Sequence, residues 1–290
     1  LAALYRFLSR PSPLRELLVR RRRATALTGP VPDLSDVLAP AIRERLAANP
    51  PQREALEQAL RAETLFRVAG PPGSGKTVLI GALAAAAARL PGGGRVLLVA
   101  VTNRALDQAL ERVVEAGGPA LAVVRLGRAA SAAPGVRSRM PAARVQEAGS
   151  LAAGCRAAAA WVREAAVVGV TASALAGGDW DAVLGDFDRV VVDEASQMTV
   201  PLGLGAASYG RWLIVIGDDR QLPPVVRAPG GATDEWPDLS VSLFELVRGC
   251  LTSGPAPGAA LERQFRMSDG VGAAPAAVWY DGRLRPGTPA

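Results

Sequence analysis

Residues 68–83 have the sequence VAGPPGSGKTVLIGAL. A short apolar run leads into a glycine-rich turn, and an apolar segment with helical character follows the turn. The turn fits the pattern G-x-x-x-x-G-K-[ST] with Gly70, Gly75, Lys76 and Thr77. In this pattern backbone N–H groups and the following helix N-terminus surround a phosphate group. The stretch therefore predicts a strand, a phosphate-binding loop and a helix.

Lys76 is the only lysine in the chain, although lysine and arginine together number 33. The heavy use of arginine, alanine, glycine and proline resembles a codon preference, which weakens arguments from the overall charge. A compact ammonium on a flexible stem fits a nest of backbone N–H groups, whereas the planar guanidinium of arginine does not. We therefore predict that Lys76 contacts the β- and γ-phosphates of a nucleotide.

The composition limits the chemistry that the chain can perform. Its 290 residues carry a formal charge of +6, which fits either a polyanionic partner or a solvated basic surface. The absence of histidine excludes Ser-His-Asp and Cys-His catalysis and histidine-ligated metals. Cys155 and Cys250 are too few for a disulfide framework, and we predict buried thiols in a reducing cytoplasm.

No membrane association is predicted. The longest apolar run, TVLIGALAAAAARL, is shorter than a membrane span needs and is expected to form a buried helix. No signal peptide is visible, which predicts a cytoplasmic location, and the first residue is not methionine, which predicts a fragment or a processed chain.

Strands and helices alternate from residue 49 onward. Near-continuous apolar runs are typical of strands that are covered on both faces, so we predict an α/β fold with a parallel sheet between two layers of helices. The predicted strands lie in TLFRVAG, RVLLVAVT, LAVVRLG, AAVVGVTAS, RVVVDEAS and RWLIVIGD.

Three other segments flank or interrupt this pattern. Residues 1–48 are predicted to form a helical, basic segment, whose cluster Arg20–Arg23 is either a solvated helix face or a nucleic-acid contact. Residues 128–164 lack a strand pattern and predict a helical insertion. The nucleotide-binding domain then spans 49–250, and residues 251–290 form a linker, GPAPG at 254–258, and the start of another domain.

Acidic residues follow two of the predicted strands. Asp193 and Glu194 end the strand in RVVVDEAS, at the sheet edge where ligands bind in open α/β folds. Asp193 is predicted to hold Mg²⁺ together with the Thr77 hydroxyl, and Glu194 to orient and deprotonate the attacking water. In VIGDDRQLPP, Gln221 lies just beyond another strand end, where it can sense the γ-phosphate.

Several ordered motifs make the sequence resemble the superfamily 1 helicases, in the 5′-to-3′ branch that includes the nonsense-mediated-decay RNA helicases and the Dna2-type DNA enzymes. The motifs cover roughly residues 49–284 and are NPPQREAL, GPPGSGKT, VTNRALDQAL, VVRLG, VVVDEASQ, GDDRQLPP, LERQFRM and WYDGRL. The resemblance implies a RecA-like P-loop NTPase domain that uses ATP and Mg²⁺.

The resemblance also implies roles for individual residues. Gln52 would read the adenine edge, Phe265 would stack on the adenine, and Arg266 would contact the γ-phosphate. Lys76, Glu194, Gln221 and Arg266 would be the catalytic residues. The predicted ATP-binding loop comprises Gly70, Pro71, Pro72, Gly73, Ser74, Gly75, Lys76 and Thr77.

Polar residues at two further strand ends suggest contacts with single-stranded nucleic acid. Thr102 and Asn103 in VTNRALDQAL, and Thr171 and Ser173 in GVTASAL, lie where helix N-termini suit phosphate contacts. By resemblance they touch the nucleic-acid backbone, whereas simple helix capping is the alternative. DNA is favoured over RNA as the partner, but backbone contacts do not decide between them. The oligomeric state is left open.

The sequence departs from the family pattern after Arg266 and Met267, where SDG stands in place of a histidine. It also stops soon after WYDGRL, before the motifs of a second motor domain. The sequence therefore predicts an ATP-dependent helicase or translocase, of which this chain alone binds ATP weakly and unwinds little. Two alternatives stay open: a P-loop ATPase that gates a protein partner, and a nucleotide-dependent binding module without catalysis.

Overall fold

The structure is a computed structural model that describes residues 2–9, 12–20, 27, 29–178, 180–226, 240–250 and 257–287. Its main sheet has seven parallel strands in the order β3-β4-β2-β5-β6-β1-β7. They are β1 (Leu65–Ala69), β2 (Val96–Ala100), β3 (Val123–Arg125), β4 (Val167–Thr171), β5 (Phe187–Val192), β6 (Gly210–Gly217) and β7 (Gly258–Ala260). Two short strands, β8 (Arg263–Gln264) and β9 (Arg285–Pro286), pair separately. The predicted parallel sheet is confirmed.

Helices cover both faces of this sheet. In chain order they are α1 (Ala2–Ser9), α2 (Pro13–Arg20), α3 (Pro40–Ala47), α4 (Pro50–Arg61), α5 (Lys76–Arg89), α6 (Asn103–Gly117), α7 (Pro141–Glu147), α8 (Leu151–Glu164), α9 (Ala172–Gly177), α10 (Asp181–Leu184), α11 (Val200–Ala207), α12 (Leu243–Cys250) and α13 (Asp269–Trp279). The apolar run after the phosphate loop forms the buried helix α5, as predicted. Within the described residues, no helix has the length and hydropathy to cross a membrane.

The core has two layers because strand side chains alternate between the faces. On β2, Val96 and Leu98 pack with α3 to α6, whereas Leu97 and Val99 pack with α1, α2 and α8 to α12. All five residues of β2 are buried. This burial on both sides explains the near-continuous apolar runs in the sequence.

The N-terminal segment belongs to this core. Phe7 on α1 and Leu14 on α2 are buried in one layer, and Ile42 on α3 is buried in the other. The N-terminal segment therefore contributes buried residues to both helical layers. Arg21–Arg23 of the basic cluster lie outside the described residues.

Between β3 and β4 the described chain forms 3₁₀ turns (Ala129–Ser131 and Pro134–Arg139) and helices α7 and α8, with no strand. The sheet continues past residue 250, where the sequence suggested that it would end. Strand β7 pairs with β1, and its small residues Gly-Ala-Ala carry none of the branched apolar character by which strands are recognised. Residues 254–256 of the predicted linker lie outside the described residues.

One prediction about the cysteines is wrong. Cys250 is buried, but Cys155 is exposed. Helix α8 buries only Gly154, Ala158 and Val162, and Cys155 lies beside that narrow stripe on the solvent side.

Candidate nucleotide-binding site

The phosphate loop joins β1 to α5, and two of its glycines are required by its shape. Gly73 and Gly75 have φ of +77° and +81°, in the left-handed region that favours glycine. A Cβ atom on Gly73 would lie 2.5 Å from the Cβ of Arg266, and one on Gly75 would overlap the Gln52 amide. The loop is therefore curled tightly, with Arg266 close against one side.

Lys76 begins α5 and reaches back across this loop. Its Nζ donates to the carbonyl oxygens of Gly70 at 2.5 Å and Pro71 at 3.2 Å. Burial lowers the pKa of Lys76, and the carboxylates of Asp193 and Asp218 oppose that shift. The ammonium thus lies in the loop that would surround a phosphate, whose oxygens would replace these carbonyl contacts.

Asp193 and Glu194 follow β5 directly. The backbone of Asp193 still donates to the Val99 oxygen at 2.8 Å, and its side chain is buried. Burial, and next the nearby Glu194 charge, raise the pKa of Asp193 to about 6. Glu194 has φ of +53°, a conformation that costs a non-glycine residue roughly 1–2 kcal/mol. Strain of this size at a strand end is typical of functional sites.

The end of β6 brings a third acidic group to this edge of the sheet. Asp218 is 3% exposed, and its Oδ2 accepts from the Gln221 amide at 3.1 Å and from the Tyr280 hydroxyl at 2.6 Å. Its backbone N–H donates to the Ser196 hydroxyl at 3.3 Å, which joins this turn to the one that follows Glu194.

These elements enclose a cavity of about 720 Å³. The lining is formed by the phosphate loop, by the turns that follow β5 and β6, by two residues that follow β8 and by one side of α6: Pro71, Pro72, Gly73, Ser74, Gly75, Lys76, Thr77, Val78, Ala105, Gln108, Glu111, Arg112, Asp193, Glu194, Ser196, Gly217, Asp218, Gln221, Phe265 and Arg266. Gly70 lines an adjoining smaller cavity. The structure thus brings most of the predicted ATP-binding and catalytic residues together.

The cavity suits a nucleotide with a divalent cation. Its volume lies within the roughly 300–1,000 Å³ of small-molecule sites, and Lys76, Arg112 and Arg266 supply positive charge. Thr77 and Asp193 offer the oxygen ligands that Mg²⁺ prefers. In the part of the chain that the structure describes, no group of three Asp, Glu or Cys residues forms a metal site by itself. The phosphates would have to complete the coordination.

Gln52 lies behind the loop rather than in the cavity lining. Its Nε2 donates to the Ser74 oxygen at 2.7 Å, and the side chain is 5% exposed. This hydrogen bond from α4 supports the loop backbone next to Gly75. Its contact with the adenine edge stays a prediction.

The proposed nucleic-acid residues lie at the ends of the adjacent strands β2 and β4. Thr102 and Thr171 cap α6 and α9 by accepting from Ala105 N–H at 3.2 Å and Ala174 N–H at 3.3 Å. Thr102, Asn103 and Ser173 are exposed, whereas Thr171 is buried. The capping interpretation therefore describes both threonines, and phosphate contact stays a prediction.

A buried ion pair beneath Asn103 is not anticipated from the sequence. Arg125 is fully buried, and it donates to Asp107 at 3.0 Å and to Asn103 Oδ1 at 2.7 Å. Asp107 also accepts from the Ala133 N–H at 2.7 Å, which ties the helical insertion to α6. An arginine inside the apolar run LAVVRLG is the signal that could reveal it, because buried charges are paired.

The fold and the cavity define a P-loop nucleotide-binding domain with a RecA-like parallel sheet. The AAA_11 family model, described as an AAA domain, matches residues 47–151 and 145–229. The chain belongs to this family, and the predicted resemblance to superfamily 1 helicases of the Dna2 type is confirmed.

Two curated relatives are named DNA replication ATP-dependent helicase/nuclease DNA2. The Saccharomyces cerevisiae protein is 29% identical over 237 residues, which cover 81% of this chain and 14% of the relative. The Gallus gallus protein is 29% identical over 261 residues, which cover 88% and 25%. The chain thus spans at most a quarter of these two relatives. Among solved structures, an arterivirus nonstructural protein 10 (helicase) in complex with DNA aligns with a TM-score of 0.46 and 15% identity, and the alignment covers 82% of this chain and 44% of that one.

Proposed function

We propose that this chain is the first motor domain of an ATP-dependent helicase or translocase that acts on single-stranded nucleic acid. The observation that carries the proposal is the convergence, in one cavity, of the phosphate loop, the buried Asp193 with Glu194, and Gln221, with Arg266 arriving from a later segment. A nucleotide-binding fold needs only the loop. The additional acid, amide and guanidinium groups are those that hydrolysis of a γ-phosphate requires.

Each side chain has a distinct task in this proposal. Lys76 and the α5 N-terminus hold the β- and γ-phosphates. Glu194 accepts a proton from the attacking water as the bond between the β,γ-bridging oxygen and the γ-phosphorus breaks and ADP leaves. Arg266 stabilises the charge on the transferring phosphoryl group, and Phe265 packs on the adenine.

Thr77 and Asp193 would hold Mg²⁺, which neutralises phosphate charge when bound. The raised pKa of Asp193 supports this role, because a buried carboxylate beside a second carboxylate favours binding a cation as well as a proton.

Coupling to nucleic acid is proposed from the relatives and from the sheet edge. Thr102, Asn103 and Ser173 present polar groups on the neighbouring strand ends, and these groups would contact phosphates of a single strand. The curated relatives named above are replication helicase/nucleases, which favours DNA over RNA. A stepping motor needs two domains that close on nucleotide, so we expect the chain alone to bind ATP and to unwind little.

The test is the steady-state rate of Mg-ATP hydrolysis by this chain, and by a form extended through a second motor domain, with single-stranded DNA, single-stranded RNA or neither. We expect stimulation in the extended form, and the better activator identifies the substrate. Glu194→Gln should retain ATP binding and lose turnover. Hydrolysis that is indifferent to both nucleic acids would favour the partner-gating ATPase, and binding without any turnover would favour the non-catalytic module.

A further inference from the structure

Tyr280 contacts the nucleotide site from its far side. It follows α13 directly, and its hydroxyl donates to Asp218 Oδ2 at 2.6 Å. Asp218 separates two cavities, because it lines both the nucleotide cavity and a smaller one of about 230 Å³. Tyr280 lines the smaller cavity. The hydroxyl therefore reaches the carboxylate without entering the space that a nucleotide would fill.

The same carboxylate oxygen holds Gln221. Gln221 Nε2 donates to Asp218 Oδ2 at 3.1 Å, while the other oxygen accepts from the Arg220 N–H at 3.0 Å. Because the Asp218 carboxylate accepts hydrogen bonds from all three donors, the Gln221 side chain must turn its NH₂ group, and not its oxygen, toward Asp218. The second N–H of Gln221 is then left for another acceptor in the cavity that Gln221 lines, such as a γ-phosphate oxygen.

Tyr280 belongs to a segment that meets the site at two separate points. Residues 257–287 contribute β7 to the sheet edge, and Phe265 N–H donates to the Gly73 oxygen at 2.9 Å, next to Arg266. Asp281 adds a half-exposed pair with Arg220 at 3.3 Å. The position of this segment is thus linked both to the phosphate loop and to Asp218.

We propose that Tyr280 is a positioning residue for γ-phosphate recognition. Through Asp218 it holds Gln221 with an amide N–H directed at the nucleotide, and it does so only while residues 257–287 are docked on the sheet. This inference rests on the proposed function, since it requires ATP in the large cavity. If Tyr280 acts in this way, discrimination between ATP and ADP depends on the docking of residues 257–287 on the sheet.

The test is Tyr280→Phe, which keeps the ring and removes the hydroxyl. Calorimetric titration of this chain with Mg-ADP and with the Mg complex of the non-hydrolysable analogue AMP-PNP compares nucleotides without and with a γ-phosphoryl group. We expect the Kd for AMP-PNP to rise about tenfold, as for the loss of one hydrogen bond to a charged group, and the Kd for ADP to stay within about twofold. Tyr5→Phe removes the hydroxyl of a tyrosine that is 74% exposed on α1, and it serves as the matched control.

A double-mutant cycle separates positioning from a general structural effect. In a Gln221→Ala background, Tyr280→Phe should change neither affinity further, because the group that it orients is gone. The inference would be overturned if Tyr280→Phe left the ratio of the two Kd values unchanged. It would also be overturned if the effect on the AMP-PNP Kd were undiminished in the Gln221→Ala background. Either result would leave the proposed function intact. A wild-type chain that binds neither nucleotide would overturn both.

Discussion

Replacing Asp193 with asparagine should stabilise the folded chain, and the gain should grow as the pH rises. Asp193 is buried beside Glu194, and its pKa is raised to about 6. Asparagine has nearly the same shape and keeps an oxygen that can accept the Glu194 N–H, now 2.9 Å from Asp193 Oδ1. The substitution therefore removes the buried charge while it retains the local backbone contact.

The magnitude follows from the difference between the folded and unfolded pKa values. An unfolded aspartate titrates near ~3.9, so the carboxylate binds its proton more tightly in the folded chain. Ionising it therefore costs folding free energy, with no cost below about pH 4 and the full cost above about pH 6. A pKa raised from ~3.9 to about 6 corresponds to about 3 kcal/mol at pH 8 and to about half of that at pH 5.

Urea unfolding of wild type and Asp193→Asn at pH 5 and pH 8, without nucleotide and with EDTA, measures this difference. The free energy of unfolding gained by the variant should be larger at pH 8 by about 1–2 kcal/mol. Glu54→Gln, which removes an exposed carboxylate from α4, controls for the loss of one negative charge. A gain that is equal at the two pH values, or a loss that grows with pH, would refute the reasoning.

Three further sets of substitutions test other parts of the structure. Gly73→Ala should lower the free energy of unfolding by at least about 1 kcal/mol and weaken ATP binding. The φ of Gly73 is +77°, and the nearby Arg266 leaves no room for a Cβ atom. An unchanged Kd for ATP and an unchanged urea midpoint would contradict this prediction. Arg125→Met should lower the free energy of unfolding by about 3–5 kcal/mol, because it leaves Asp107 buried without its ion-pair partner. Adding Asp107→Leu should restore part of that free energy. Urea titrations that show no such recovery would count against an ionic role for Arg125. Thr102→Ala should lower the free energy of unfolding by about 1 kcal/mol because α6 loses its cap, whereas Thr102→Ser should be close to wild type. The proposed phosphate contact predicts weaker binding of a labelled oligonucleotide, measured by fluorescence anisotropy, for the alanine variant only.

The sheet was predictable because its strands are buried on both faces. Such strands have near-continuous apolar sequences, and each of the six predicted runs contains a strand. Strand β7 was not predictable in this way, since Gly258–Ala260 has only small residues and owes its place to pairing with β1. Likewise, the packing of α1 and α2 depends on tertiary contacts that local composition does not specify.

The candidate site was predictable where chemistry is tied to local sequence, as in the phosphate loop and in Asp193 with Glu194. Contacts between segments that are distant in sequence were not predictable. The pairs Arg125 with Asp107 and Tyr280 with Asp218 join residues whose separation in sequence gives no sign of contact. The role of Gln52 was difficult for a related reason, because a motif identifies a residue type but not the atom that its amide will contact.

The proposed function requires that the cavity at the ends of β1, β5 and β6 binds Mg-ATP for hydrolysis. The most direct measurement is the Kd for Mg-ATP of wild type, Lys76→Ala and Glu194→Gln by equilibrium titration. We expect Lys76→Ala to lose most of the affinity and Glu194→Gln to bind at least as tightly as wild type. Equal affinity in wild type and Lys76→Ala would contradict it, because the only lysine of the chain would then have no part in holding the nucleotide.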